Sequence, residues 1–236
     1  MGRDLMAKGW KTIQALVTRE VKIECDRIPH TFHRVPLKKI LNWILVEAAA
    51  LARPEWPVGW PTHLQIEPTT YCNLRCLLCP VNTGLNRPCG HMDFRIFQKV
   101  VDEVGEYVFF ILLWDWGEPF LNPQIYDMIR YARERGIKLV SSTNGHLFAQ
   151  SDHAERVVRS GLDTLIVALD GITQESYEKY RQGGELDAVL TGIRTIVAWK
   201  RALNSDTPVI NLRFLVMRHN EHDAYSGDRE QPDRAS

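Results

Sequence analysis

The chain has no surplus of either charge: 29 Lys and Arg stand against 29 Asp and Glu in 236 residues. A nucleic-acid or anionic-membrane partner would call for a basic excess, so neither is expected. Long apolar runs are missing as well. The longest stretch of low charge, residues 40–52, is too short to cross a bilayer and contains Glu47, so no membrane span is expected. The opening Met-Gly-Arg-Asp-Leu-Met lacks the charged-then-apolar build of a signal peptide and the Ser or Thr of a myristoylation motif, which predicts a cytoplasmic protein. Cysteine is scarce and odd in number, five in all, which suits a reducing compartment better than a disulfide framework. There is no internal repeat and no cysteine beyond Cys89.

What the chain does have is a cluster. Cys72, Cys76 and Cys79 form C-x3-C-x2-C in the segment Leu64-Gln-Ile-Glu-Pro-Thr-Thr-Tyr-Cys-Asn-Leu-Arg-Cys-Leu-Leu-Cys-Pro80. Three thiolates are one fewer than a cubane iron–sulfur cluster needs if the protein is to hold every iron, so one iron stays open. An open coordination position is where a substrate can bind directly. Cys25 and Cys89 are left over and are expected to be inert thiols.

With 44% hydrophobic residues, the chain can bury a sizeable core as one large domain or two small ones. Leu37, Ile40, Leu41, Ile44 and Leu45 recur at helical spacing, which predicts an amphipathic helix whose apolar stripe packs inward. From about residue 62, short apolar runs alternate with helical patterns, the βαβ signature of a parallel sheet or barrel. Strands are expected at His63–Glu67, Val108–Trp114, Lys138–Ser141, Thr164–Leu169 and Val209–Met217. Helices are expected from near Asp93, with Ile96, Phe97, Val100, Val101 and Val104 on the inner side; from Asn122 as N-cap with Pro123 at the first position; over Ser151–Ser160, ended by Gly161; and over 174–203, with a break at Gly183-Gly184. In the last strand Asn211 and Arg213 alternate with Ile210 and Leu212. In a barrel the outer side meets helices and must be apolar, so the two polar residues should face a ligand in the lumen, unless this is an edge strand with one wet face. The residues after Met217 have almost nothing to bury and are expected to form a disordered tail.

The cysteine segment following a strand resembles the signature loop of the radical S-adenosylmethionine (SAM) enzymes. Trp116-Gly-Glu-Pro-Phe-Leu-Asn-Pro123 looks like the family's Gly-Gly-Glu motif with Trp116 in place of the first Gly. Thr143-Asn-Gly145, Leu169-Asp-Gly171 and Tyr180-Arg-Gln-Gly-Gly184 resemble the branch that often carries a C-terminal SPASM extension. The resemblance covers about 62–222. It implies an α/β fold, a partial (β/α)6 TIM-like barrel missing its last strand or strands, with an N-terminal helical extension (1–60), a core (61–220) and a disordered polar tail (221–236).

It further implies a [4Fe–4S] cluster on Cys72, Cys76 and Cys79, with SAM chelating the open iron. The reduced cluster would break the sulfur–C5′ bond of SAM, and the 5′-deoxyadenosyl radical would take hydrogen from a peptide or small-molecule substrate. A reductant such as flavodoxin or ferredoxin would supply the electron. By the same resemblance Glu118, beside Gly117, would accept from the SAM ammonium, and Arg181 would pair with its carboxylate. Asn144 and Asp170 are candidates for the ribose hydroxyls, Asn211 and Arg213 for the ribose or the substrate, and Glu67 for a role that depends on strand register.

Some positions depart from the family. Leu78 stands where an aromatic residue is usual, and Ala168 where Ser is frequent. No sixth strand is visible, and without further cysteines the chain cannot hold SPASM clusters. An incomplete barrel would expose a strand edge and its apolar neighbours, predicting poor solubility or oligomerisation. Two alternatives stand beside the active enzyme: a catalytically silent fragment that binds SAM weakly or not at all, and a structural zinc module using Cys89 or His91 as fourth ligand.

Overall fold

A computed structural model describes residues 13–84 and 86–226 of the chain. The described residues fall into two compact units, residues 13–64 with 100–109, and residues 65–84 and 86–99 with 110–226.

In the first unit β1 (Val21–Cys25) and β2 (Ile28–Phe32) form an antiparallel hairpin with Cys25 opposite Ile28. The two-residue loop, Asp26 and Arg27, has φ of 54° and 62°, the left-handed pair that matches the twist of a tight hairpin. This hairpin is not among the expected elements, although Val21-Lys-Ile-Glu-Cys25 alternates as a strand does. Helix α1 (Leu37–Ala52) forms where a helix was expected, but with a different inner face. Leu37, Leu41 and Leu45 are exposed, whereas Lys39, Ile40 and Asn42 are buried. The polar pair is inside because each finds backbone partners. Lys39 Nζ donates to the Val108 carbonyl at 2.8 Å, and the Asn42 amide exchanges two bonds with the backbone of Trp60. Burial pushes the Lys39 amine down to about 8.

The main sheet has five strands in sequential order: β3 (His63–Gln65), β4 (Phe110–Leu112), β5 (Lys138–Thr143), β6 (Thr164–Ala168) and β7 (Val209–Arg213). β4, β5, β6 and β7 pair in parallel, with Val140 opposite Thr164 and Thr164 opposite Val209. The connecting helices are α2 (Pro80–Thr83), α3 (Phe94–Val104), α4 (Ile125–Glu134), α5 (Ser151–Ser160), α6 (Gln174–Tyr180) and α7 (Leu186–Ala202). β6 is buried along its whole length, as expected of a parallel strand covered on both faces.

The partial-barrel expectation holds, while several limits shift. The first, second and fifth strands are shorter than their apolar runs, because ladder pairing ends before hydrophobicity does. Ile96 is exposed, while Phe97 and Val101 form the buried side of α3. Helix α4 starts at Ile125, later than expected, yet Asn122 Oδ1 accepts from Gln124 N–H at 2.9 Å as an N-cap side chain would. Its buried amide also donates to the Pro68 and Met92 carbonyls at 2.7 and 3.1 Å. The in–out alternation expected for β7 is absent: Asn211 is half-buried, Arg213 is exposed, and so are Val209 and Leu212.

The expected tail is ordered at its start. Asn220 is fully buried and donates to the Asp170 and Leu215 carbonyls. Helix α8 (Glu221–Ser226) follows, with Asp223 accepting from Ile172 N–H. Polar residues are ordered there because backbone groups, not apolar surface, supply their partners. The rest of that expected tail, 227–236, lies outside the described residues. Among the described residues no helix is long and apolar enough to cross a membrane.

Candidate active site

The cysteine loop leaves β3 where Ile66 N–H donates to the Leu112 carbonyl, and backbone pairing then fixes it from two directions. On one side Thr70 N–H donates to Gly90 and Met92 N–H to Pro68. On the other, the amides flanking Cys76 are taken by the end of α6: Arg75 N–H donates to the Gln182 carbonyl at 3.0 Å and Leu77 N–H to Tyr180 at 3.3 Å. Gly117 lies under the loop, where a Cβ would come within 2.0 Å of the Thr69 carbonyl oxygen. Only glycine allows that approach.

Cys76 is buried and Cys72 and Cys79 are half-buried. Burial pushes the Cys72 thiol up to about 11 and raises Cys76 too, with Arg181 acting in the opposite direction on Cys76. Metal binding to these thiols must therefore displace protons. Each sulfur has a polar neighbour. Arg181 Nη1 lies 3.7 Å from Cys76 Sγ, Asn144 Nδ2 3.9 Å from Cys72 Sγ, and the Trp116 carbonyl oxygen 4.0 Å from Cys79 Sγ. Among the described residues no three His, Cys, Asp or Glu side chains converge where one ion could be held. A tetrahedral zinc needs a fourth donor beside the three thiolates, whereas a cubane takes each thiolate on a different iron and leaves one iron open. The donor set fits a cluster.

Glu118 follows β4 and is buried. Its carboxylate is already engaged: Oε1 accepts from Thr143 Oγ1 at 2.8 Å and Phe120 N–H at 3.3 Å, and Oε2 accepts from Asn144 N–H at 2.8 Å. Burial dominates these bonds and pushes its pKa up to about 7. Asn144 is oriented on both sides. Its Nδ2 donates to Asn73 Oδ1 at 2.7 Å, and His146 Nδ1 lies 3.1 Å from the Asn144 carbonyl. Since His146 Nε2 accepts from Glu185 N–H at 2.8 Å, the ring proton is assigned to Nδ1.

Asp170 follows β6 and is also buried. Its Oδ2 receives both Nε and Nη2 of Arg181 at 2.6 Å, and Oδ1 accepts from Leu215 N–H at 2.8 Å. Burial works against the Arg181 charge, but Asp170 and Cys76 outweigh it and hold the guanidinium above its ordinary value. Asp170 and Arg181 thus form one unit, with the remaining guanidinium nitrogen at Cys76.

Glu67 stands beside the Trp116–Gly117 backbone. Its Oε1 accepts from Trp116 N–H at 3.2 Å and Gly117 N–H at 3.3 Å, and Arg87 grips both carboxylate oxygens at 2.6 and 2.7 Å. Asn211 and Arg213 lie in β7 opposite Ile166 and Ala168. Leu78 is exposed. The structure thus gathers Cys72, Cys76, Asn144, Asp170, Arg181, Gly117 and Glu118 by direct contacts. It adds Thr143, His146, Asn73 and Arg87, for which the sequence offered no signal beyond the adjacent motifs.

A parallel β/α half-barrel with a three-thiol loop at its strand ends defines a protein built around an iron–sulfur cofactor. The Radical SAM superfamily matches residues 66–205, and the chain belongs to that superfamily, whose cofactors are a [4Fe–4S] cluster and SAM. The chain is 28% identical to the AdoMet-dependent heme synthase of Methanosarcina barkeri over 137 residues, 58% of this chain and 39% of that protein. It is 31% identical to the GTP 3′,8-cyclase of Limosilactobacillus fermentum, with 58% and 42% covered. To the mycofactocin maturase MftC of Mycobacterium ulcerans it is 28% identical, with 58% and 37% covered. Each match spans about two fifths of the relative's own length. In fold it is similar to SuiB of Streptococcus suis bound to precursor peptide SuiA, at TM-score 0.56 and 18% identity, covering 80% of this chain and 40% of that one.

Proposed function

We propose that this chain is the core of an enzyme that cleaves SAM reductively, with the cluster held by Cys72, Cys76 and Cys79. When bound, the cofactors would supply the chemistry: with one electron from a flavodoxin- or ferredoxin-type reductant, the sulfur–C5′ bond of SAM would break to give a 5′-deoxyadenosyl radical for hydrogen abstraction. The observation that carries this reading is the preformed three-thiol loop, clamped on both flanks of Cys76.

The protein's part is binding and positioning. Arg181, fixed by Asp170, offsets thiolate charge at Cys76. Asn144, oriented by His146 and Asn73, stands at Cys72. Glu118 ties the β4 loop to the end of β5, and Glu67 with Arg87 sets the Trp116–Gly117 peptide beside Cys79. With the Glu118 oxygens engaged by protein donors, a SAM ammonium would compete with Thr143 and Asn144 for them. Asn211 and Arg213 remain candidates for the ribose or the substrate. The substrate is a peptide or a small molecule: the fold neighbour SuiB is bound to precursor peptide SuiA, and the GTP 3′,8-cyclase is named for a nucleotide.

Anaerobic reconstitution followed by reduction with SAM should give 5′-deoxyadenosine from the parent and none from Cys76→Ala. A colourless protein retaining zinc, with no uptake of iron and sulfide, would refute this reading. One feature favours a second reading, a core that loads its cluster but is catalytically silent: edge strand β7 and the residues after it leave Val209, Leu212, Leu215 and Val216 exposed. A fully loaded parent that makes no 5′-deoxyadenosine would select it.

A further inference from the structure

Asn220 is fully buried in a stretch of chain that has little apolar anchorage. Two of the large apolar residues just after β7, Leu215 and Val216, are exposed, so apolar burial does little to fasten this stretch. The Asn220 side chain fastens it instead. Its Nδ2 donates to the Asp170 carbonyl at 2.8 Å and to the Leu215 carbonyl at 3.0 Å, and its Oδ1 accepts from Met217 N–H at 2.6 Å. Both amide hydrogens and the amide oxygen are therefore engaged. These bonds close a ring with Asp170, because Leu215, held by Asn220 through its carbonyl, donates its own N–H to Asp170 Oδ1 at 2.8 Å. Asp170 is thus tied at its main chain by Asn220 and at its carboxylate by Leu215. Its other oxygen, Oδ2, takes Nε and Nη2 of Arg181 at 2.6 Å, and the remaining guanidinium nitrogen, Nη1, lies 3.7 Å from Cys76 Sγ. The guanidinium is a rigid planar fork. Where Asp170 sits therefore decides where Nη1 points.

We propose that Asn220 is a positioning residue for the cluster: by fixing Asp170 it holds the Arg181 guanidinium at the Cys76 sulfur, where the positive charge eases one-electron reduction. This rests on the cluster assignment made under Proposed function. A cluster gains negative charge on reduction, and its potential follows the net charge and hydrogen bonds around its sulfurs. Truncating Asn220 removes the main-chain tether of Asp170 and frees Leu215, which holds the carboxylate. Arg181 then follows a looser Asp170 and spends less time at the sulfur. The reductant's electron goes to the cluster alone, and no covalent bond or proton of Asn220, Asp170 or Arg181 is exchanged.

The test compares the anaerobically reconstituted full chain with its Asn220→Ala and Asn220→Ser variants, each normalised to loaded cluster. Weakening one charged hydrogen bond at the sulfur predicts a reduction equilibrium about three- to tenfold less favourable in Asn220→Ala, a potential more negative by ~30 to ~59 mV for one electron. Asn220→Ser keeps one donor and should shift the potential the same way by less; it supplies the reading if Asn220→Ala does not fold. A merely structural role is separated by repeating the substitution in the Arg181→Lys protein, where the fork is already absent. There the potential should stay where Arg181→Lys alone puts it, while the melting temperature of the cluster-free protein still falls. An unchanged potential in the loaded Asn220 variants, or an equal shift with and without the Arg181 fork, overturns the assignment and leaves the cluster reading intact. A parent that takes up no iron and sulfide overturns both readings together.

Discussion

Glu118 and Asp170 are both buried carboxylates placed after strands of the same sheet, β4 and β6, and they are held in opposite ways. Asp170 faces a guanidinium fork and two neighbouring chain segments. Glu118 has one hydroxyl and two backbone N–H groups and, among the described residues, no ion pair. With its counter-ion in contact, Asp170 belongs to a structural unit that carries positive charge to Cys76. Glu118, without one, has a charge set by pH and by whatever else approaches. The first is part of the scaffold of the cluster loop; the second is a joint between strand ends that an incoming cation would strengthen.

The largest test of this contrast is Asp170→Ala. It leaves the Arg181 guanidinium buried and unpaired and removes the acceptor for Leu215 N–H, so it should cost about 3–5 kcal/mol in denaturant unfolding and lower cluster loading. If it costs no more than Glu118→Ala, the two carboxylates are equivalent and the comparison fails.

Next is pH. The folded-state pKa of Glu118, about 7, lies above the unfolded carboxylate value. The folded state therefore holds the proton more tightly, and stability present at low pH is lost as pH rises through 7. The loss should reach up to about 3 kcal/mol. Thermal unfolding of the cluster-free protein between pH 4.5 and 8 should show this slope, and Glu118→Gln should flatten it. A slope that survives the substitution assigns the effect to another group.

The smallest effect is expected from Arg181→Lys. Lysine keeps the charge but cannot grip Asp170 with two nitrogens while reaching Cys76 with a third. A loss of about 1–2 kcal/mol is expected, together with slower cluster loading. Retention of parental loading would mean that charge alone, without the fork, suffices at Cys76.

Much of this was legible in local pattern. Ser151–Ser160 ends at Gly161 where expected, and the break at Gly183-Gly184 separates α6 from α7, because glycine termination and helical periodicity are short-range properties. The three cysteines and the Gly117–Glu118 pair could be found for the same reason. What could not be read is where long-range partners lie. Nothing near Glu118 in sequence indicates that Asn144 and Thr143 occupy its oxygens, and nothing near Asp170 indicates that Leu215 and Asn220 close around it. The α1 face was misjudged because Lys39 and Asn42 are inside for backbone acceptors and donors that lie far along the chain. The alternation in β7 points to a lumen-lining face, but its position at the end of the strand order fits the alternative, an edge strand, and decides its exposure.

The two amides beside Cys76 are secured by the main-chain carbonyls of residues 180 and 182. Because those acceptors are backbone atoms, no change of side chain at either position removes them. Only a shift of the chain beyond α6 can loosen the loop at that cysteine.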